Sequence, residues 1–213
     1  PAPWQPEPPE VRELKRLVAR LDTLEADIQR EENRLEKAQF NGDAQAQESI
    51  HHMLAALREE RHRLVASIDD HFGNHQHLKQ DRALLESIPG IGRVLSSYLV
   101  VALRSRDFAS ARQAAAFIGL VPIAEQSGTS VNKRPRLSKA GDPKLRQKLY
   151  MAAMTATRYN PDIRAQYLRL HKRGKAKMAA IGAAMRKLVH IAYGVLKSQT
   201  VYQPQKQSAL QRA

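Results

Sequence analysis

The sequence has no cysteine, few aromatic residues and no long apolar run. None of its 213 residues is Cys, and 5% are aromatic. Without Cys, a disulfide framework and a thiolate metal site are excluded, which is consistent with a reducing compartment. No unbroken apolar stretch reaches the about 18 residues that a membrane-spanning helix needs. We therefore expect a helical, elongated protein of the cytoplasm with no membrane partner.

The first residues lack both an initiator methionine and a secretory signal. PAPWQPEPPE, residues 1–10, contains neither a basic region nor an apolar run. Its prolines indicate a semi-rigid, extended linker. We expect the chain to be part of a longer protein that continues before this linker.

Acidic residues are scarce in the second part of the chain. Residues 1–90 carry 12 Lys and Arg against 17 Asp and Glu, whereas residues 91–213 carry 23 against 4. The resulting local charge of +19 attracts polyanions. No basic amphipathic helix with Trp or Phe anchors is visible, so nucleic acid is favoured over an anionic membrane as the partner.

A heptad pattern predicts two long helices between residues 11 and 78. In the first helix, Glu31 interrupts an apolar seam formed by Val11, Leu14, Leu17, Leu21, Leu24, Ile28, Leu35 and Ala38. In the second, Arg61 interrupts a seam formed by Ile50, Leu54, Leu57, Leu64 and Ile68. Asn41-Gly42-Asp43 predicts the turn between them, with Asp43 as the cap of the second helix. The pattern fits an antiparallel hairpin or coiled coil that dimerises, and equally a bundle within one subunit.

Three histidines follow the second helix. His71, His75 and His77 lie near two carboxylates, which is a composition that can bind zinc. The i, i+4 pair His71 and His75 spans Gly73 and Asn74, which are poor helix formers. A polar loop between helices is therefore favoured over a metal site.

A glycine-containing motif opens the basic part. LLESIPGIGRVLSSYLV, residues 84–100, resembles a helix-hairpin-helix, in which Gly90 and Gly92 turn the backbone and Arg93 begins a helix. Backbone N–H groups at such a helix start suit a phosphate oxygen. A glycine-rich turn between packed helices is the alternative.

The remaining pattern predicts a mainly α domain over residues 79–200. Residues 121–141 are expected to be irregular or in short extended segments. Asp142 and Pro143 predict the start of a helix to about Arg158, followed by helices over 161–172 and 176–198. His190 is expected to be a hydrogen-bonded core histidine. Residues 201–213 are expected to form a disordered tail.

The most basic stretch also contains several hydroxyl groups. Residues 125–149 read EQSGTSVNKRPRLSKAGDPKLRQKL. A serine that attacks a phosphodiester needs a base for its proton and positive charge on the transition state. Arginines supply the charge, but no nearby His or well-placed carboxylate stands out except Glu125, and cations would depress its pKa. Spacing alone leaves Ser127 open as either a nucleophile or part of a phosphate-binding loop.

A family resemblance follows from motifs that occur in a fixed order. LLESIPGIG, ARQAAAFIGLVP, SGTSV, RLSKAGDPKLRQKLYMAAM and AAMRKLVHIAYGVLKS together resemble the C-terminal transposase domain of the one-ten class of bacterial insertion-sequence transposases, over roughly residues 80–200. The preceding helices resemble that family's coiled-coil segment. The resemblance implies a DNA transposase or site-specific recombinase of the bacterial nucleoid, with DNA, a structured guide RNA and further copies of itself (dimer or tetramer) as partners.

The resemblance also implies roles for individual residues. Ser127 occupies the position of the serine nucleophile that becomes joined to DNA, and Ser130 is the second candidate. The family completes its site with an N-terminal RuvC-like domain whose four acidic residues bind a divalent metal, expected to be Mg²⁺; this chain lacks that domain, and no metal site is expected within it. By itself the chain is therefore expected to be inactive. Nucleic-acid contact is predicted for Gly90, Gly92, Arg93, Lys133, Arg134, Arg136, Ser138, Lys139, Lys144 and Arg146. A non-catalytic nucleic-acid-binding module is the alternative function.

Overall fold

The protein is mainly α-helical, as the sequence predicts. The structure is a computed structural model that describes residues 6–123, 126–127, 131–132, 136–138 and 140–204. Within these ranges the elements are α1 (Pro9–Phe40), α2 (Ala44–Asn74), α3 (Gln76–Glu86), α4 (Arg93–Arg104), α5 (Ala111–Phe117), β1 (Pro122–Ile123), β2 (Gln126–Ser127), β3 (Val131–Asn132), β4 (Arg136–Leu137), α6 (Pro143–Tyr159), α7 (Pro161–Lys172) and α8 (Lys177–Ser198). The predicted tail residues 205–213 and linker residues 1–5 lie outside the described residues.

The chain divides into two compact units. One unit is Pro6–Lys79, and the other begins at Gln80. The first contains α1 and α2, and the second contains α4 to α8 with the four short strands. All the candidate site residues belong to the second unit.

The first unit is an antiparallel helical hairpin, which confirms that prediction. Its connection is short because Gly42 takes a left-handed backbone with φ of 69°. The Asp43 carboxylate then accepts the Ala46 N–H at 3.0 Å and caps α2. Farther from the turn, Arg58 pairs with Glu32 at 2.9 Å across the two helices.

The buried residues at the start of α1 keep heptad steps but include Val18 in place of Leu17. Leu14, Val18 and Leu21 are buried, whereas Leu17, which the heptad pattern placed on the seam, is only half-buried. The prediction was wrong at this position because steps of four and three residues from Leu14 lead to Val18 and Leu21. Arg61 is the charged residue in the α2 seam, and its Nη2 lies 3.8 Å from Oε1 of Glu25 on α1.

The three histidines at the end of the first unit, His71, His75 and His77, join helix ends instead of forming a polar loop. Helix α2 continues through Gly73 to Asn74, so the predicted loop is wrong at this position. His71 is buried, and its Nε2 lies 2.8 Å from the Glu10 carbonyl oxygen. His75 Nδ1 contacts the His71 carbonyl at 2.8 Å, and His77 Nε2 lies 3.2 Å from Glu10 Oε1. These contacts account for all three imidazoles within the hairpin.

Helix α8 is the central helix of the second unit. It packs against α5, α6 and α7, and its small residues Ala180, Ala184 and Ala192 are buried. Length and composition would let α8 cross a membrane, but 56% of its apolar window is buried inside the fold. A core helix of this kind passes the same test.

His190 on α8 is not hydrogen-bonded as expected. Its Nε2 is buried without a hydrogen-bond partner in the described part of the chain. Burial lowers the pKa of His190, and the charges of Arg186, Lys187 and Arg112 lower it further. Both effects favour the neutral imidazole.

An ion pair between the buried Asp81 and the half-buried Arg104 connects α3 with α4. Asp81 is 2% exposed, and its two carboxylate oxygens each accept a hydrogen bond of 2.6 Å from Arg104. The bond to Asp81 raises the pKa of Arg104 above its usual value. Gln199 Nε2 donates a third bond to Asp81, at 3.0 Å. A planar guanidinium suits this two-point contact, because its two N–H groups match a carboxylate.

Removal of Arg104 is expected to destabilise the second unit strongly. Arg104→Met should lower the free energy of unfolding by about 3 kcal/mol, because the Asp81 carboxylate stays buried and keeps the bond from Gln199 but loses both bonds from the guanidinium. The double variant Asp81→Asn/Arg104→Met removes both charges and should lose less. Urea denaturation measures both, and an Arg104→Met loss below about 0.5 kcal/mol would contradict the expectation.

Candidate nucleic-acid interface and active site

Ser127 lies in one of two short antiparallel strand pairs between α5 and α6. β1 pairs with β4, and β2, which contains Ser127, pairs with β3. The register places Ser127 opposite Val131 and Pro122 opposite Leu137. Ser127 thus belongs to the innermost of the four described residue pairs. We call the two strand pairs β1–β4 and β2–β3 together the Ser127 ribbon.

Two glycines close the base of the Ser127 ribbon. Gly119 follows α5 with φ of 83°, and Gly141 precedes α6 with φ of 96°. A Cβ on Gly119 would lie 1.8 Å from the Ala140 carbonyl oxygen, and one on Gly141 would lie 2.3 Å from the Phe117 carbonyl oxygen. The two ends of the ribbon segment therefore approach each other backbone to backbone, which requires residues without a side chain.

Arg146 joins the same two chain ends from α6. Its Nη1 donates to the Gly141 carbonyl at 2.8 Å, with the Ala140 and Ile118 carbonyls at 3.3 and 3.4 Å. The Ser138 hydroxyl accepts a hydrogen bond from the Ala140 N–H at 3.2 Å. The Ser138 N–H donates to the Val121 carbonyl oxygen at 2.9 Å. A structural role thus accounts for Arg146 and Ser138, and their predicted phosphate contacts stay predictions.

The loop between α3 and α4 uses its two glycines differently. Gly90 has φ of 105°, and a Cβ there would lie 2.8 Å from Ala156 Cβ on α6, so its missing side chain permits helix packing. Gly92 is exposed, precedes α4 and has no atom within 4 Å of its ideal Cβ position. Room for a phosphate backbone therefore exists at Gly92. The helix-hairpin-helix assignment itself stays a prediction.

Helix α6 contacts both the base of the Ser127 ribbon and the α3–α4 loop. Arg146 near its start contacts the base of the Ser127 ribbon, and Ala152 and Ala156 farther along contact Gly90. Ten residues separate Arg146 from Ala156, which corresponds to about 15 Å along the helix axis. The cap that fixes the start of α6 is the predicted one, since Asp142 accepts the Lys144 N–H at 2.8 Å.

A polar network behind the α3–α4 loop was missed by sequence reasoning. Asn160 is fully buried, its Oδ1 caps α7, and its Nδ2 donates to the Pro89 carbonyl at 3.4 Å. The Tyr202 hydroxyl lies 2.7 Å from Asp162 Oδ2 and 3.0 Å from Asn160 Oδ1. Burial, with the bond to Asp162, raises the pKa of Tyr202. The Asn160-Pro161 pair was a visible helix-start signal, but nothing local indicated Tyr202.

The sequence predicted that Tyr202 belongs to a disordered tail, but the structure shows it hydrogen-bonded. Its backbone N–H donates to the Ser87 hydroxyl at 2.9 Å. Residues 201–204 have no regular secondary structure, yet Tyr202 is bound at both its backbone and its hydroxyl. Long-range hydrogen bonds supply the order that the polar composition did not indicate.

The other predicted contact residues are placed as follows. Arg136 in β4 and Lys144 in the first turn of α6 are exposed, as is Arg93 at the start of α4. Lys148, also in the basic stretch, has its Nζ 4.6 Å from the centre of the Tyr98 ring. The structure does not describe Ser130, Lys133, Arg134, Lys139 or Glu125, the carboxylate considered as a base for Ser127.

The described residues offer no cluster for a divalent metal. No group of three or more His, Asp or Glu side chains in them is arranged to hold an ion. The Mg²⁺ that the family resemblance implies is therefore not matched by a donor set in this part of the chain.

Comparisons with known proteins identify the class. Residues 82–168 match the family model described as transposase, IS116/IS110/IS902 family. The pilin gene-inverting protein of Moraxella bovis is 29% identical over 197 residues, and that of Moraxella lacunata is 30% identical over 197 residues. An insertion element IS110 uncharacterized 43.6 kDa protein of Streptomyces coelicolor is 27% identical over 156 residues, or 73% of this chain and 37% of that protein.

The relatives are, by their names, proteins of insertion elements and gene inversion. Both Moraxella matches cover 91% of this chain and 60% of the relative, so the chain spans 60% of the length of these relatives. Residues 82–168 therefore match the IS116/IS110/IS902 class of transposases, and the Moraxella relatives extend the similarity over 91% of the chain. This confirms the resemblance that the motif order indicated.

Proposed function

We propose that the chain is the serine-bearing part of a DNA transposase or site-specific recombinase, with Ser127 as the nucleophile. The observation that supports the proposal is the position of Ser127 in the innermost of the paired strand positions, between two chain ends that Gly119, Gly141 and Arg146 bring together. Closure of these chain ends would restrict the serine-bearing strands, as a nucleophile requires. The family similarity supplies the DNA chemistry.

The proposed reaction conserves the phosphodiester. The Ser127 hydroxyl oxygen forms a bond to phosphorus, and the bond from phosphorus to one deoxyribose oxygen breaks. The serine proton passes to a base, and the released sugar oxygen takes up a proton. A hydroxyl of another strand then attacks the serine phosphodiester and restores the Ser127 hydroxyl. No external energy source is needed, because each step exchanges one phosphodiester for another.

Cations in and beside the ribbon would stabilise the transition state. Arg136 is exposed on β4, and Lys144 and Arg93 are exposed at the starts of α6 and α4. Guanidinium groups bind phosphate oxygens at two points, so Arg136 is the described residue best suited to the developing charge. A divalent metal would activate the serine or stabilise the leaving oxygen when bound, and we propose that its ligands lie outside the described residues.

The partners follow from the same proposal. We propose DNA as the substrate, a structured guide RNA as a further partner, and the bacterial cytoplasm as the location. Self-association through the first unit is supported by Phe40, which is 92% exposed at the hairpin turn, and by Met53, which is 51% exposed on α2.

A trapped covalent intermediate tests the nucleophile. The whole protein is incubated with its DNA site carrying a nick, so that the short cleaved strand diffuses away and the serine phosphodiester persists. We expect a denaturant-resistant adduct whose DNA-bearing peptide contains phosphorylated Ser127. Strand exchange without any adduct would favour the alternative, in which the α3–α4 loop and the ribbon bind nucleic acid without catalysis. An adduct at another residue would contradict the assignment of Ser127.

A further inference from the structure

A second basic surface lies at the connection between α7 and α8. Lys172, Arg173, Lys175 and Lys177 occur within six residues, and every residue from 171 to 179 is exposed. We call residues 172–177 the basic turn. It lies outside residues 82–168 that match the family model and outside the predicted contact residues.

The basic turn has no acidic counterpart in its own part of the chain. Residues 163–204 contain nine Lys and Arg and no Asp or Glu. Asp162, the last acidic residue, is bonded to Tyr202. Among the described residues none of the four cations of the basic turn forms an ion pair within 4.0 Å. Its charge is therefore not neutralised within the chain.

Helix stability accounts for only half of these cations. Lys172 lies in the last turn of α7, where a positive charge is favourable. Lys175 and Lys177 lie at the start of α8, where a positive charge opposes the helix dipole. The cap of α8 is Ala176, which makes no side-chain hydrogen bond, and the first turn has no acidic residue. Cations at this helix start thus lower stability, which indicates a negatively charged ligand.

Aromatic and apolar side chains lie beside the basic turn. The rings of Tyr167 and His171 on α7 stack with centroids 6.4 Å apart and an interplanar angle of 6°. Leu168 and Met178 are 53% and 65% exposed. Cations interleaved with aromatic and apolar groups are typical of surfaces that follow a nucleic-acid backbone.

We propose that the basic turn binds the phosphate backbone of duplex DNA. This inference rests on the proposed function in one respect, namely that the protein acts on DNA. It adds a contact surface on α7 and α8 to the predicted surfaces at Gly92 and the Ser127 ribbon. Four cations permit up to four phosphate contacts, which carry affinity without reading bases.

The test compares two variants of the full chain with equal loss of charge. One combines Lys172→Gln, Arg173→Gln, Lys175→Gln and Lys177→Gln. The control combines Arg16→Gln, Arg20→Gln, Lys37→Gln and Lys79→Gln, four exposed cations before residue 80. Fluorescence anisotropy measures binding to a duplex of about 30 base pairs between about 50 and 200 mM salt.

We expect the basic-turn variant to bind duplex DNA at least about tenfold more weakly at 100 mM salt. The slope of the logarithm of the binding constant against the logarithm of the salt concentration should become shallower by about 2 or more. The control should change affinity by less than about threefold, because its cations lie elsewhere. An equal loss in both variants would show an effect of net charge alone and overturn the proposal. Unchanged binding by the basic-turn variant would do the same.

Further measurements distinguish contact with duplex DNA from contact with RNA, lipid or the active site. If the basic-turn variant loses binding to duplex RNA or to phosphatidylserine vesicles but keeps binding to duplex DNA, the proposal fails. Ser127→Ala should bind DNA like the unchanged chain, so loss of the nucleophile and loss of the basic turn give different results. Should the fourfold variant unfold, Lys175→Gln/Lys177→Gln replaces it, because it removes charges that oppose the α8 dipole and is expected to keep the fold. Its expected slope decrease is about 1 to 2, and no decrease would overturn the proposal.

Discussion

Replacing Ser127 with alanine is expected to reduce DNA strand exchange by at least about 10³-fold while DNA binding changes by less than about twofold. The hydroxyl is the atom proposed to bond to phosphorus, and alanine provides no oxygen for this step. Affinity depends on cations and backbone N–H groups, which the substitution leaves unchanged. The assay follows recombinant product and protein–DNA adduct from the whole protein with its donor and target DNA.

Ser130→Ala is the matched control within the same motif. It removes an equal hydroxyl, and we expect less than about tenfold loss of strand exchange, since Ser130 is the second candidate only. Loss of activity in Ser130→Ala with normal activity in Ser127→Ala would reverse the two roles. Normal strand exchange in both variants would exclude a serine of this motif as the nucleophile.

Gly119→Ala is expected to destabilise the second unit by about 3 kcal/mol or more, and to free the Ser127 ribbon from its base. The new Cβ would lie 1.8 Å from the Ala140 carbonyl oxygen, and no side-chain rotation relieves a contact between Cβ and backbone. The left-handed φ of 83° adds its own cost for a residue other than glycine. Gly141→Ala should also destabilise the second unit, because its Cβ would lie 2.3 Å from the Phe117 carbonyl oxygen.

Gly174→Ala isolates the contribution of the backbone conformation. Gly174 has φ of 71° but no atom within 4 Å of its ideal Cβ position, so its loss should be only about 1 to 2 kcal/mol. Urea denaturation gives the stabilities, and limited proteolysis within residues 120–141 reports release of the ribbon. Equal losses in Gly119→Ala and Gly174→Ala would show that close approach at the ribbon base is unimportant. Strand exchange should fall with Gly119→Ala, because the ribbon end no longer has a fixed position.

Arg146 gives α6 a structural role at the base of the proposed site. Arg146 was predicted from the sequence to contact phosphate, yet its Nη1 bonds carbonyls at both ends of the ribbon segment. Loss of activity in an Arg146 variant would therefore not by itself identify a phosphate ligand. The exposed Arg136 and Lys144 are better positions for testing contact with DNA.

Local signals in the sequence predicted the helices well. Asp43 and Asp142 were recognised as caps, and both carboxylates accept the expected backbone N–H. The prediction of a helix over 161–172 agrees with α7, Pro161–Lys172. These features depend on residues within one helical turn of each other, so the sequence displays them directly.

Interactions between distant residues were not predictable in this way. The phosphate contact predicted for Gly90 stays a prediction, but the sequence did not indicate that its missing Cβ also accommodates Ala156, which lies 66 positions later. Tyr202 was assigned to a disordered tail, but it bonds to Ser87 and Asp162. A glycine in a turn has the same local sequence whether a ligand or a helix approaches it, and only the fold distinguishes the two.

Composition, periodicity and motif order were enough to predict the helical class, the concentration of positive charge after residue 90 and the similarity to the transposase family, because these patterns can be read along the chain without the fold. The family resemblance also selected Ser127 as the proposed nucleophile. The fold places Ser127 on paired strands and leaves open space at the ideal Cβ position of Gly92. It placed Gly119 against Ala140, Gly141 against Phe117 and Arg146 on both chain ends, contacts that depend on how α5 and α6 pack. It also left the basic turn exposed while α8, which begins within that turn, became the core of the second unit.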